Sequence, residues 1–180
     1  MINNIPDLSL LPASWKGIDL YKNKSLWVKT FSNQEILELE NATFKFLKSK
    51  KDLSQMKCKE FILPTLSNDL IKLQKELMDG IGFKLLKGIP TEKYNIKQLA
   101  VMYYGIGLHI GSPRSQNAKG HLLGHVKDLG LNLKNRDVRV YQTNERQHFH
   151  TDSSDVVGLM CLKEARHGGK SMLASTITVY

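Results

Sequence analysis

Cysteine is scarce in this chain. Cys58 and Cys161 are the only two in 180 residues. Their wide separation suggests neither a disulfide framework nor a cysteine-based zinc site. A reducing, cytoplasmic setting is the expectation. Long apolar runs are missing too, and none approaches the roughly 18–20 residues a membrane-spanning helix needs. The opening residues lack a charged n-region followed by an apolar h-region, so no secretory signal is read. Internal repeats and low-complexity segments are absent. Acidic residues are outnumbered, 17 against 26 Lys and Arg, giving a net charge of +9. Such an excess invites a nucleic-acid reading, but it consists mostly of lysine, whereas base readout favours arginine. The lysines are dispersed, apart from Lys48, Lys50, Lys51, Lys57 and Lys59, which crowd into what reads as a solvated loop. No nucleic acid or membrane is expected as a partner. A basic rim could still attract an anionic co-substrate.

What is present fits one globular domain with a real core: 41% hydrophobic and 24% charged residues are ordinary values. Residues 1–31 read as an irregular arm that Trp15, Trp27 and Phe31 anchor. Ser32-Asn33-Gln34-Glu35 is a capping-box pattern. It opens a helix through about Leu47, with Ile36, Leu39, Thr43 and Phe46/Leu47 on one stripe. Residues 48–66 read as a loop. Ser67 or Asn68 caps a second helix, whose Leu70, Leu73, Leu77 and Met78 fall at helical spacing, with Gly80 just past its end. Asn95-Ile96-Lys97-Gln98 opens a third, through about Gly107. Segments 82–87, 122–126, 138–144, 156–162 and 171–179 read as strands. Helices early and strands late predict an α+β fold.

The most informative stretch is Gln147-His148-Phe149-His150-Thr151-Asp152. In an extended strand, residues two apart project to one side. His150 and Asp152 would thus place an imidazole and a carboxylate together, two thirds of the facial triad that holds non-haem Fe(II). The third ligand of such a site is normally a histidine far along the chain.

The motif does not stand alone. After it come an apolar segment, the turn Gly168-Gly169, then Lys170-Ser171 and a second apolar segment. Earlier, Gly82-Phe83-Lys84-Leu85-Leu86-Lys87-Gly88-Ile89-Pro90 and Ile106-Gly107-Leu108-His109-Ile110-Gly111-Ser112-Pro113 occur in matching order. From about residue 67 onward the chain resembles the TauD/TfdA family of Fe(II)- and 2-oxoglutarate-dependent dioxygenases. The resemblance implies an incomplete double-stranded β-helix, or jelly roll, with flanking N-terminal helices. It divides the chain into an arm and helix, 1–66, and the N-terminal part of a dioxygenase domain, 67–180, incomplete at its C-terminus. It makes His150 and Asp152 metal ligands. It gives Ser171 a hydrogen bond to 2-oxoglutarate.

Other residues weigh less. His148 shares a face with His150 and would line the pocket or orient a ligand. Gln142, Asn144 and Arg146 alternate on the approaching strand and are substrate-binding candidates with His148. Arg114 and Gln116 are weaker ones. His121 and His125 have the spacing of zinc-protease histidines but lack the adjoining glutamate. His109 and His167 have no obvious partners, and Asp155 suits a turn.

The implied activity is oxidation, as hydroxylation, of a small organic substrate, with dioxygen consumed and 2-oxoglutarate decarboxylated to succinate. The implied cofactor is Fe(II). The β-rich run 175–180 has no turn or polar tail after it, so the chain reads as a fragment, inactive by itself, whose distal His and 2-oxoglutarate-clamping Arg lie beyond it. The alternative is a non-catalytic jelly-roll protein that binds a small molecule or partner. Neither the substrate nor the oligomeric state is readable.

Overall fold

Two of the three long helices open on caps that the local sequence supplies, and all three carry apolar stripes. In the computed structural model of the protein, which describes residues 7–117 and 119–180, α1 is a short helix at Gly17–Lys22 and β1 spans Val28–Thr30. Helix α2 runs Asn33–Lys48 with the expected capping box: Ser32 N donates to Glu35 Oε2 at 2.7 Å and Glu35 N to Ser32 Oγ at 3.2 Å. Its stripe buries Leu39, Thr43 and Phe46. Helix α3 spans Leu66–Asp79, β2 spans Leu85–Lys87 and α4 spans Ile96–Ile110. The Asn95/Gln98 box opens α4 as expected. That helix continues past Gly107, closing where Gly111 N donates to Gly107 O at 2.9 Å.

The start of α3 differs from the sequence reading. Ser67 and Asn68 lie inside its first turn, and Thr65 occupies the N-cap without a side-chain cap bond. The capping group comes from another helix. The Glu38 carboxylate of α2 accepts from Thr65 N at 3.0 Å, Thr65 Oγ1 at 2.5 Å and Leu66 N at 3.1 Å. A long-range carboxylate thereby satisfies backbone donors that the helix itself cannot. Burial pushes the Glu38 pKa up, but the bonds from Thr65 and Leu66 outweigh this and hold it below the usual carboxylate range.

Helix α4 packs on both α2 and α3. Their shared core holds Leu39, Phe46, Leu66, Leu70, Leu99 and Met102, with Met56, Phe61 and Leu63 from the connecting segment. That segment, 49–65, is a loop with two short turns of 3₁₀ helix, yet it furnishes core residues. Gly105 sits in mid-helix because the Phe61 ring lies against it, where a methyl group would overlap the ring.

Strands β1 and β2 form a parallel pair, Val28 opposite Leu85 and Thr30 opposite Lys87. Helices α2 and α3 lie in the long connection that a parallel pair requires. Around it, Phe83 lies between Trp15 and Trp27, with ring centroids 5.2 and 5.9 Å away. The indole of Trp15 donates to Ile81 O and that of Trp27 to Leu20 O, each at 2.8 Å. Over residues 7–31 the arm is anchored by the tryptophans and Phe31 but is less irregular than expected, since it contains α1 and β1; residues 1–6 of the expected arm lie outside the described residues.

The fold is α+β, with this two-stranded sheet as the one sheet among the described residues. Segments 122–126, 138–144, 156–162 and 171–179 are not strands. Residues Val140–Gln142 make a turn of 3₁₀ helix, and Thr176–Val179 form a helical turn, α5, capped by Ser175 Oγ accepting from Thr178 N at 3.0 Å. Alternation and β-branching suit a strand, but a strand exists only when a neighbour takes its backbone bonds. These segments find no such ladder among the described residues. The last segment instead spends its hydroxyls on the arm: Ser175 Oγ donates to Ala13 O at 2.5 Å and Thr178 Oγ1 to Trp15 O at 2.9 Å. The backbone divides into two units, residues up to Ser112 with Asp155–Tyr180, and Pro113–Ser154.

Two variants test this packing. Glu38→Ala leaves buried α3 donors unpaired and is expected to cost about 2–3 kcal/mol. Because the folded-state Glu38 pKa lies under the 4.5 of a free glutamate, its contribution is full above that pH and is lost as pH falls through the folded value. Denaturant titrations of wild type and Glu38→Gln should therefore converge on acidification. A constant gap would remove Glu38 from the acid dependence. Gly105→Ala, which raises helix propensity by up to about 1 kcal/mol, is nevertheless expected to destabilise by about 1–3 kcal/mol through overpacking against Phe61. A higher melting temperature would contradict the close approach.

Candidate metal centre

His150 and Asp152 lie in the unit Pro113–Ser154. No helix or strand covers residues 143–155, so strand alternation is not what brings the two side chains together. Local hydrogen bonds set the orientation of the His150 ring instead. His150 Nδ1 lies 2.7 Å from the His148 carbonyl oxygen. A carbonyl can only accept, so Nδ1 carries a proton and the neutral ring keeps its lone pair on Nε2. Gln147 Nε2 donates to that atom at 3.2 Å, and Asp152 Oδ1 stands 4.0 Å from it.

One nitrogen is thus held by a backbone carbonyl, while the other carries the lone pair and is met by the Gln147 amide. The spacing is open. Two ligands about 2.1 Å from a metal and at right angles are about 3 Å apart, and 4.0 Å is wider than that. Both side chains are about half exposed, at 47% and 54%, so little resists closure. Among the described residues no group of three His, Cys, Asp or Glu side chains gathers to hold a metal. The donor set fits two positions of a facial triad.

The other candidates are distributed as follows. His148 is exposed and brings its carbonyl, not its ring, to His150. Gln147, which the sequence reading passed over, is the residue whose side chain reaches Nε2. Gln142 is half-buried, and its Oε1 accepts from Arg139 N at 2.9 Å, closing the 3₁₀ turn. Asn144 and Arg146 are exposed. They share no strand with Gln142, so the expected alternation is absent. His121 and His125 lie on a loop, and Asn117 Nδ2 is 2.9 Å from His121 Nδ1. Arg114 O accepts from Gln116 Nε2 at 3.0 Å.

In the other unit, Ser171 is exposed and follows Gly168 and Gly169, whose φ angles of +71° and +67° make the pair a true glycine turn. His167 and Asp155 are exposed. His109 departs from expectation, being held at both ring nitrogens, by Phe61 O and Cys58 Sγ.

Comparison with known proteins bears out the family resemblance. A family model described as taurine catabolism dioxygenase TauD, TfdA family, matches residues 49–180. FR-33289 synthase of Streptomyces rubellomurinus (strain ATCC 31215) is 36% identical over 107 residues, 59% of this chain and 32% of that protein. Taurine hydroxylase-like protein SAT17 of Stachybotrys chartarum (strain CBS 109288 / IBT 7711) is 25% identical over 174 residues, 93% of this chain and 45% of that protein. The matched segments thus cover less than half the length of either relative.

The tautomer is directly measurable. Nitrogen-15 spectra should show neutral His150 as the Nδ1–H form, unchanged in Gln147→Ala because the His148 carbonyl holds the proton. A dominant Nε2–H form would overturn this assignment of the proton.

Proposed function

This chain belongs to the TauD/TfdA family of dioxygenases, and on that premise we propose that its protein oxidises a small organic substrate with Fe(II) and 2-oxoglutarate, releasing succinate. The observation that carries this reading is the family match over residues 49–180, which contains His150, Asp152 and Ser171. Fe(II), when bound, would supply the dioxygen chemistry that side chains lack.

His150 and Asp152 are the proposed protein ligands, one imidazole and one carboxylate, a set that leaves adjacent positions open. His150 would ligate through Nε2, the nitrogen left basic by its bond to the His148 carbonyl. Gln147, now donating to Nε2, would release it when a ligand arrives. Ser171 has the hydroxyl to donate to a carboxylate of 2-oxoglutarate. Gln142 keeps its amide N–H₂ for substrate, and Asn144, Arg146 and His148 are proposed beside it. The third ligand, a carboxylate-binding Arg and the strands that complete a jelly roll are proposed to lie outside these 180 residues. Residues 1–66 would then serve as an arm and helix on a catalytic part beginning near 67. The substrate stays general, because the relatives are named for different chemistry.

The test uses the full-length protein. Asp152 is exposed, and exposed substitutions usually change stability by no more than about 0.5 kcal/mol, so Asp152→Ala should fold. It is expected to lose most bound iron and to lower succinate formation at least about 100-fold, beyond what loss of a supporting residue costs. Unchanged iron content would dismiss Asp152 as a ligand. Iron bound without succinate, across a panel of small carboxylates and sulfonates, would favour the non-catalytic binding protein.

A further inference from the structure

Cys58 and His109 are 51 positions apart in sequence, yet Cys58 Sγ lies 3.5 Å from His109 Nδ1. The thiol is free and exposed, on the 3₁₀ turn Cys58–Glu60. The imidazole sits in the last turn of α4 and is half-buried. Its Nε2 is 2.8 Å from the Phe61 carbonyl oxygen. That carbonyl requires a proton on Nε2, so the lone pair of the neutral ring is on Nδ1, towards the sulfur. Phe61 is fully buried, at 0% exposure, so the group that orients the imidazole is anchored in the core.

Nucleophile, base and orienting group therefore stand in the order that activates a nucleophile. Exposed Lys57 and Lys59 flank the cysteine in sequence. Cys161 is also free and exposed, but among the described residues no imidazole bonds to it.

We propose that Cys58, with His109 as its base, is a thiol–disulfide exchange site for small anionic disulfides. His109 Nδ1 takes the thiol proton. The Cys58 sulfur then attacks one sulfur of the disulfide, a new S–S bond forms and the old one breaks. The other half leaves as a thiolate and recovers the proton from the imidazolium. The small disulfide is the oxidant, and one thiol is released for each Cys58 modified. The flanking lysines supply the preference for an anion.

The test follows each cysteine separately by peptide mass spectrometry. The probes are dithiobis-nitrobenzoate, which is anionic, and neutral dipyridyl disulfide. In the wild-type protein Cys58 is expected to react about tenfold faster than Cys161 near neutral pH. His109→Gln keeps an amide donor for the Phe61 carbonyl but removes the base. It should slow Cys58 about tenfold and leave Cys161 unchanged. Replacing Lys57 and Lys59 with Ala should slow the anionic probe alone, and high salt should do the same in wild type. Equal rates at the two cysteines in wild type would overturn the proposal, whether or not the variants fold. So would an unchanged Cys58 rate in folded His109→Gln, which would leave the pair as a packing hydrogen bond.

Discussion

Glu38 reaches from the middle of α2 to the first backbone N–H groups of α3, and the arrangement of the surrounding elements follows from that contact. It is 5% exposed, and its oxygens take the donors of Thr65 and Leu66. A buried carboxylate is tolerable only when its lone pairs are filled, and the start of a helix is a place with donors to spare and a favourable dipole. Once α3 is fixed, Asp69 in its first turn is positioned. Asp69 and Glu35 then hold Lys29 between them, at 2.8 and 2.7 Å. Lys29 belongs to β1, so two acidic side chains from two helices fix the strand that pairs with β2. Burial alone would lower the Lys29 pKa, but the two carboxylates outweigh it and raise it. Strand β2 in turn follows Phe83, the ring between the two tryptophans.

Among the described residues, His150 has no comparable support. Its bonds are local and solvent-exposed, and apolar side chains near it in sequence stand in the open, with Phe149 at 64% and Leu159 at 76% exposure. A metal site needs its ligands held within about 0.5 Å of their working positions by packing around them. A pair separated by 4.0 Å in an exposed loop has the right donors without that support. Ordering must then come from packing or ligand binding that these contacts do not provide.

What the sequence made legible follows the range of the interactions. The boxes at Ser32/Glu35 and Asn95/Gln98 span three residues, so they could be read and were right. Gly80 marks the end of α3 for the same local reason. Strand signals at 156–162 and 171–179 were real preferences, but a ladder is a contract between distant segments, and preference on one side does not create it. Glu38 was invisible because its donors lie 27 and 28 residues away. Cys58 and His109 each looked solitary for the same reason. For His150 and Asp152 the sequence reading rested on strand alternation, and these residues lie in no strand.

The two oriented histidines share a rule that sequence cannot express. At His150 a carbonyl binds Nδ1 and frees Nε2. At His109 a carbonyl binds Nε2 and frees Nδ1. A neutral imidazole has one proton and one lone pair, so whichever nitrogen meets the carbonyl decides where the basic atom points. In each case the freed atom faces an ionisable partner, the Asp152 carboxylate or the Cys58 thiol. The two surroundings then lead to different chemistry. A carboxylate beside a lone pair makes two donors for one cation. A thiol beside a lone pair makes a proton acceptor for a nucleophile. In both proposals the role of the side chain would be set by the backbone oxygen behind it and the acid in front of it, both of which come from the fold.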